Sequence, residues 1–193
     1  MLSKDQVDFY HEQGYLLVEN AVSLQQLAGL RDLTYDFIER SRPVTESNDV
    51  YDLDDGRSRA QPKLTRIELP HKQHPYYWEV PKNSRITEVL RQLLGPNVPL
   101  QTSKLDTKAP DGGAAVEWHR DWAFYPHTND DLLACGSMLE DATLANSPLQ
   151  VIPGSHRGPV LSHHTGDGTF CGAVDPENPD FHHDKAATLT GKA

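Results

Sequence analysis

Trp118-His119-Arg120-Asp121-Trp122 is the stretch on which the reading of this chain turns. His119 and Asp121 are separated by one residue. On a β-strand, residues i and i+2 point to the same face, so the imidazole and the carboxylate would converge. Such a pair supplies two members of the 2-His-1-carboxylate facial triad, whose open positions suit non-haem Fe(II) chemistry. A lone His-x-Asp is a short pattern, and a surface histidine beside an unrelated aspartate is its ordinary explanation. The surroundings decide between the two.

Outward from this point the chain divides in character. Upstream come helix signals. Ser3 with Gln6 and Ser23 with Gln26 each have the spacing of a capping box. Gly14 is placed to stop the first helix. Leu24, Leu27, Leu30, Leu33, Phe37 and Ile38 make an apolar stripe at helical spacing. Tyr15 to Val18 and Leu64 to Leu69 read as strands, and Ser84 to Leu94 as a helix ended by Gly95-Pro96. Residues 42–62 are polar and acidic and read as a mobile loop. Downstream the pattern turns to short β-runs: Leu100 to Thr107, Ala114 to Trp118, Leu132 to Leu139 and Leu149 to Ile152. Helices first, then strands between turns, predict a mainly β domain such as a sandwich, barrel or jelly roll.

The order of motifs after His119 is specific. Leu139-Glu140-Asp141-Ala142-Thr143 is followed by Asn146-Ser147-Pro148-Leu149 and then Val151-Ile152-Pro153-Gly154-Ser155-His156. This order resembles the phytanoyl-CoA dioxygenase family of Fe(II)/2-oxoglutarate oxygenases. There, an HxD motif precedes an "EDxTxxNGxL" turn and a "PGSH" motif. Ser147 stands where the family has Gly. Leu2 to Ser23 and Gln101 to Lys108 resemble the family's corresponding segments, so the likeness covers nearly the whole chain.

The resemblance implies a double-stranded β-helix, a cupin-like jelly roll with N-terminal helices alongside. It implies Fe(II) at His119 and Asp121, with 2-oxoglutarate and O2 as cosubstrates and hydroxylation of a small organic substrate as the outcome. It places Lys63, Thr102, Lys104 and Asp106 as residues that could touch 2-oxoglutarate. An ordinary polar strand face accounts equally well for Thr102, Lys104 and Asp106. Trp122, Phe124 and Tyr125 are expected to wall the substrate pocket, with Trp118 in the core. Cys135, in an apolar run, is expected to be a small core residue.

Two parts of the family's centre have no counterpart by motif. These are a distal histidine ligand and an arginine that grips the far carboxylate of 2-oxoglutarate. No arginine follows Arg157. Thr188 to Ala193 resembles the strand that leads into the distal histidine. The reading is therefore one domain, residues 1–193, cut short of its C-terminal strands, with weak iron binding unless another chain completes the site. His156, His163, His164, His182 and His183 are the candidate substitutes. His156 belongs to the PGSH turn, and the His163-His164 and His182-His183 pairs read as solvated loop. Gly166-Asp167 mimics the turn before the distal ligand but has no arginine after it.

Composition bounds the alternatives. The 193 residues carry 18 basic and 28 acidic side chains, a net charge of −10 that disfavours general binding to nucleic acid or anionic membranes. No apolar run approaches the length of a membrane span. Two cysteines without a CxxC fit a reducing cytoplasm. Two rival readings remain: a non-catalytic jelly-roll binding protein with a partial metal site, and a cupin-type zinc hydrolase or isomerase. The substrate itself has no readable code.

Overall fold

A computed structural model of the chain describes residues 1–109, 115–125, 127–129 and 131–193. Two helices open it, α1 (Lys4–Gln13) and α2 (Leu24–Arg40). Both begin with the expected capping boxes: the Ser3 and Ser23 hydroxyls accept from the Gln6 and Gln26 amides, and each glutamine side chain accepts from the capping serine's N–H. Gly14 closes α1 at φ +79°, its N–H donating to Tyr10 O over 2.8 Å. Tyr15 to Val18 forms no strand, because no ladder partner lies beside it among the described residues.

The remaining strands are β1 (Tyr51–Leu53), β2 (Leu64–Glu68), β3 (Lys104–Asp106), β4 (Gln150–Val151) and β5 (Ala187–Thr188). Three more helices, α3 (Pro70–Gln73), α4 (Tyr76–Lys82) and α5 (Arg85–Leu94), lie between β2 and β3. The described residues fall into two compact units, Met1 with Val18–Ala114, and Leu2–Leu17 with Ala115–Ala193.

The first unit is built on apolar burial. β1, β2 and β3 form an antiparallel sheet in that order, with Tyr51 opposite Ile67 and Ile67 opposite Leu105. Ile67 is fully buried. Leu27, Leu30, Thr34 and Phe37 form the buried stripe of α2, one turn apart as the sequence spacing requires. Tyr77 and Val80 of α4 and Ile86 and Val89 of α5 complete the core. The Phe37 ring lies 6.4 Å from that of Tyr51 and 6.0 Å from that of Tyr77. The buried Tyr77 hydroxyl is satisfied by Thr34 Oγ1 at 2.9 Å. Gly29 lets α2 approach Tyr76: a Cβ there would lie 2.6 Å from the Tyr76 hydroxyl.

The segment 42–62 is not a free loop. It contains β1, and Arg57 folds back to donate to Ser41 O, Arg42 O and Val44 O at the end of α2. Three residues of strand in an acidic run are too short a signal to see by periodicity. The Pro/aromatic segment 70–82 supplies α3 and α4, with Pro70 at the first helical position where its missing N–H costs nothing.

The second unit is built on hydrogen bonds. β4 and β5 pair antiparallel, Gln150 opposite Thr188 and Val151 opposite Ala187. The ladder continues irregularly through Leu189 N to Leu149 O at 2.8 Å and the paired bridge of Ala142 with Gly191. Thr188 to Ala193 thus runs along the motif segment, as its strand-like sequence predicts. Residues 115–118 and 132–139 carry no strand, and Ala114 lies outside the described residues. Against the mainly β expectation, the strands among the described residues are few and short, and helix covers more of them. Cys135 is exposed, not core.

The motif turns have visible reasons. Asn146 Nδ2 donates to Asp141 O at 2.6 Å, and its Oδ1 accepts from Thr143 N at 2.8 Å, which ties the Glu-Asp-x-Thr turn closed. Ser147 follows at φ +56°, the left-handed region that favours glycine, where the family pattern has glycine. The Pro-Gly-Ser-His turn caps the C-terminus of α1. Gly154 N donates to Gln13 O (2.8 Å), His156 Nε2 to His11 O (3.1 Å) and Arg157 to Glu12 O (3.0 Å). These carbonyls have no partner within the helix, so the turn satisfies them. Gly14 is required twice, by its φ and because a Cβ there would lie 2.2 Å from His156 Nδ1.

Candidate metal centre

His119 and Asp121 converge, though not on a strand. Arg120 is extended (φ −115°, ψ 122°), and Asp121 opens a 3-10 turn, Asp121–Ala123. Phe124 N closes that turn onto Asp121 O at 2.9 Å. The outcome is the expected one: His119 Nε2 lies 3.2 Å from Asp121 Oδ1. Both side chains are partly exposed, 22% and 35%.

The histidine is oriented for this role. His119 Nδ1 is 2.7 Å from Glu117 O, and a carbonyl only accepts, so Nδ1 carries the proton. Nε2 is then the nitrogen that faces the carboxylate, and it can offer a lone pair to a metal once it carries no proton. A backbone carbonyl that fixes the tautomer in this way is the usual support of a metal-binding imidazole. The donor set, one imidazole and one carboxylate, fits a first-row divalent ion. Among the described residues, no group of three His, Cys, Asp or Glu side chains gathers in one place.

The segment is held from several sides. Trp118 O accepts from Val174 N at 2.8 Å. The Arg120 guanidinium donates to Ser155 O at 2.6 Å and reaches Gly158 O and Pro159 O at 3.4 Å. Arg120 N–H meets His163 Nε2 at 2.9 Å.

The other histidines are differently placed than their sequence surroundings imply. His163 is buried, 2% exposed, whereas the His163-His164 pair reads as solvated loop. Adjacent histidines in a Gly- and Asp-rich stretch give no signal of burial, and the turn that buries one of them is visible only in three dimensions. That turn is the short hairpin closed by His164 opposite Phe170. Asp167, in its Gly-Asp tip, accepts from Thr165 Oγ1 and Thr169 N, and these bonds hold its carboxyl below the usual range. His156 is engaged with α1, as described above. His164 packs edge-on to Phe170, and His183 lies against Phe181.

Of the aromatic residues near the pair, Phe124 makes the ring contacts. Phe124 stands edge-on to His119 at 5.4 Å and to Phe170 at 5.2 Å, with Tyr125 beside it at 6.3 Å. Trp118 is half-buried and packs on Phe181. A cavity of about 300 Å³ is lined by Trp122, Ala123, Val160–His164 and Phe170. The Trp122 indole N–H is buried and has no hydrogen-bond partner among the described residues.

Lys63, Thr102, Lys104 and Asp106 lie in the first unit, and His119 and Asp121 in the second. Lys104 and Asp106 share one face of β3 and pair at 3.5 Å. Asp106 also accepts from Arg66 Nε at 2.7 Å. Partial burial would lower the Arg66 pKa, but the bond and charge of Asp106 outweigh it and raise it. Asp106 is thus already neutralised by two cations, a role that its sequence position does not reveal. Lys63 precedes β2 and accepts from Asp54 N at its carbonyl, over 3.2 Å.

Comparison with known proteins identifies the family and the fold. Residues 10–193 match the family described as phytanoyl-CoA dioxygenase (PhyH). The chain is 34% identical to the probable alpha-ketoglutarate-dependent hypophosphite dioxygenase of Stutzerimonas stutzeri, over 89% of this chain and 60% of that protein. It is 32% identical to the ectoine dioxygenase of Bordetella parapertussis, over 81% of this chain and 50% of the relative. The crystal structure of EctD from S. alaskensis with bound Fe superposes with a TM-score of 0.72 at 23% identity, over 99% of this chain and 65% of that one. This likeness gives the chain the fold of the double-stranded β-helix dioxygenases. The chain spans between half and two thirds of these relatives' length. The family match runs across both units and over the His119–Asp121 segment. This chain belongs to the phytanoyl-CoA dioxygenase (PhyH) family.

Proposed function

We propose that this chain is the iron-binding portion of an Fe(II)/2-oxoglutarate-dependent dioxygenase that hydroxylates a small organic substrate. The convergence of His119 Nε2 and Asp121 Oδ1 at 3.2 Å, with His119 Nδ1 fixed on Glu117 O, carries the reading. Both units are read as parts of one PhyH-like domain. Fe(II), when bound, supplies oxygen activation coupled to 2-oxoglutarate. The chain's own residues hold and orient. His119 and Asp121 are two of the ligands. Lys63, Thr102 and Lys104 offer donors for an anionic cosubstrate, and Asp106 holds Lys104 and Arg66 in place.

The cavity beside the Asp121–Ala123 turn is the proposed substrate pocket. Trp122 and Phe170 bring apolar ring surface to it. The relatives named for hypophosphite and ectoine act on small molecules, which fits a pocket of this size. No helix among the described residues is long and apolar enough to cross a membrane, and both cysteines are free, in keeping with a reducing cytoplasm.

Succinate formation from 2-oxoglutarate, measured with Fe(II), ascorbate and O2, tests the reading. A slow turnover that requires Fe(II) and disappears in Asp121→Ala is expected. Zinc retained on purification, with no 2-oxoglutarate consumed, would contradict it.

A further inference from the structure

We infer that His163 is a positioning residue for the His119–Asp121 pair, acting through the backbone of Arg120; its bearing on metal binding rests on the function proposed above. A buried imidazole must have both nitrogens satisfied. His163 is 2% exposed, with Nδ1 at 2.9 Å from Leu161 O and Nε2 at 2.9 Å from Arg120 N. A carbonyl only accepts and a backbone N–H only donates. His163 is therefore neutral, protonated on Nδ1, and accepts at Nε2. This excludes it as the third metal ligand in this arrangement, because its lone pair is already engaged.

The bond falls at the one residue between the two proposed ligands. The Arg120 N–H belongs to the peptide that joins His119 to Arg120. The ψ of His119 and the φ of Arg120 on either side of that peptide set the direction of the His119 side chain relative to the Asp121 turn. His163 holds the peptide at a fixed angle. Its own backbone is anchored in turn: its carbonyl accepts from Cys171 N at 2.9 Å and Gly172 N at 3.3 Å across the hairpin. Phe124 gives a second point of contact, with its ring 6.3 Å from that of His163 and 5.4 Å from that of His119. A side chain that is rigid, buried and bonded to the ligand segment is what keeps a two-ligand centre preorganised.

Three measurements test this. In the native chain, a 15N–15N coupling across the N–H···N bond between Arg120 and His163 Nε2 is expected, with His163 protonated on Nδ1. Its absence, with the proton on Nε2, would overturn the inference without any variant. Amide exchange at Arg120 is expected to be slow in the native chain, to quicken in His163→Leu and to stay slow in His163→Gln, whose Oε1 can replace Nε2 as acceptor. The Mn(II) dissociation constant is expected to rise ~10–100-fold in His163→Leu, the usual cost of losing an outer-shell partner, and to recover in His163→Gln. Unchanged Arg120 exchange in His163→Leu, or no rescue by glutamine, would contradict the assignment. A native chain that binds no Mn(II) would instead sink the metal reading, and the coupling and exchange data would still decide the role of His163.

Discussion

The two units of this chain are stabilised by different physics. Among the described residues, residues 18–114 bury Leu27, Leu30, Phe37, Tyr51, Leu64, Ile67, Tyr77, Val80, Ile86 and Val89. The described residues of 2–17 with 115–193 bury only Leu2, Ala142 and Leu189 among apolar side chains, together with His163. In their place stand side-chain bonds to backbone: Asn146 across its turn, His156 and Arg157 on α1, Arg120 on the carbonyls of 155–159, and His163 on Arg120. Apolar packing tolerates repacking, whereas a directed hydrogen bond fixes one atom relative to another. The unit that carries the proposed ligands is the one fixed atom by atom.

The contrast breaks most visibly in the apolar unit. Ile67→Ala is expected to cost ~2–5 kcal/mol of unfolding free energy in urea titration, because the site is fully buried in the sheet. A loss below about 1 kcal/mol would mean that this core is not what holds the unit together. In the polar unit, Gly14→Ala is expected to cost ~1–3 kcal/mol, since it forces a left-handed alanine against the His156 ring. Adding His156→Ala should return part of that loss, and a strictly additive double variant would show that the ring contact is absent. The smallest effect runs the other way. Ser147→Gly is expected to raise stability by ~0.5–1 kcal/mol by relieving its φ of +56°. A lower melting temperature in that variant would place the strain elsewhere.

The same contrast explains what the sequence makes legible. The α2 stripe and both capping boxes can be read directly, because helical periodicity and capping are local signals. β1 and α4 are hidden, one by its brevity in an acidic run and the other by its Pro-flanked aromatic composition. At the candidate site, His119 and Asp121 are legible from spacing and motif order, yet the geometry that joins them is a turn and not a strand. His163 is invisible to such reading. Its partner, Arg120, is forty-three residues away, and a histidine beside a histidine in a polar stretch looks solvated. Asp106 shows what sequence position leaves out: Arg66 and Lys104 pair with its carboxylate, and Arg66 is forty residues away.

The central claim is that His119 and Asp121 together hold one divalent ion. Titration of Mn(II), followed by the electron paramagnetic resonance of the free ion, measures this on the native chain, His119→Ala and Asp121→Ala. One weak site per chain, lost in both variants, is the predicted result. Equal binding by all three proteins, or binding lost in neither single variant but only on unfolding, would contradict the account.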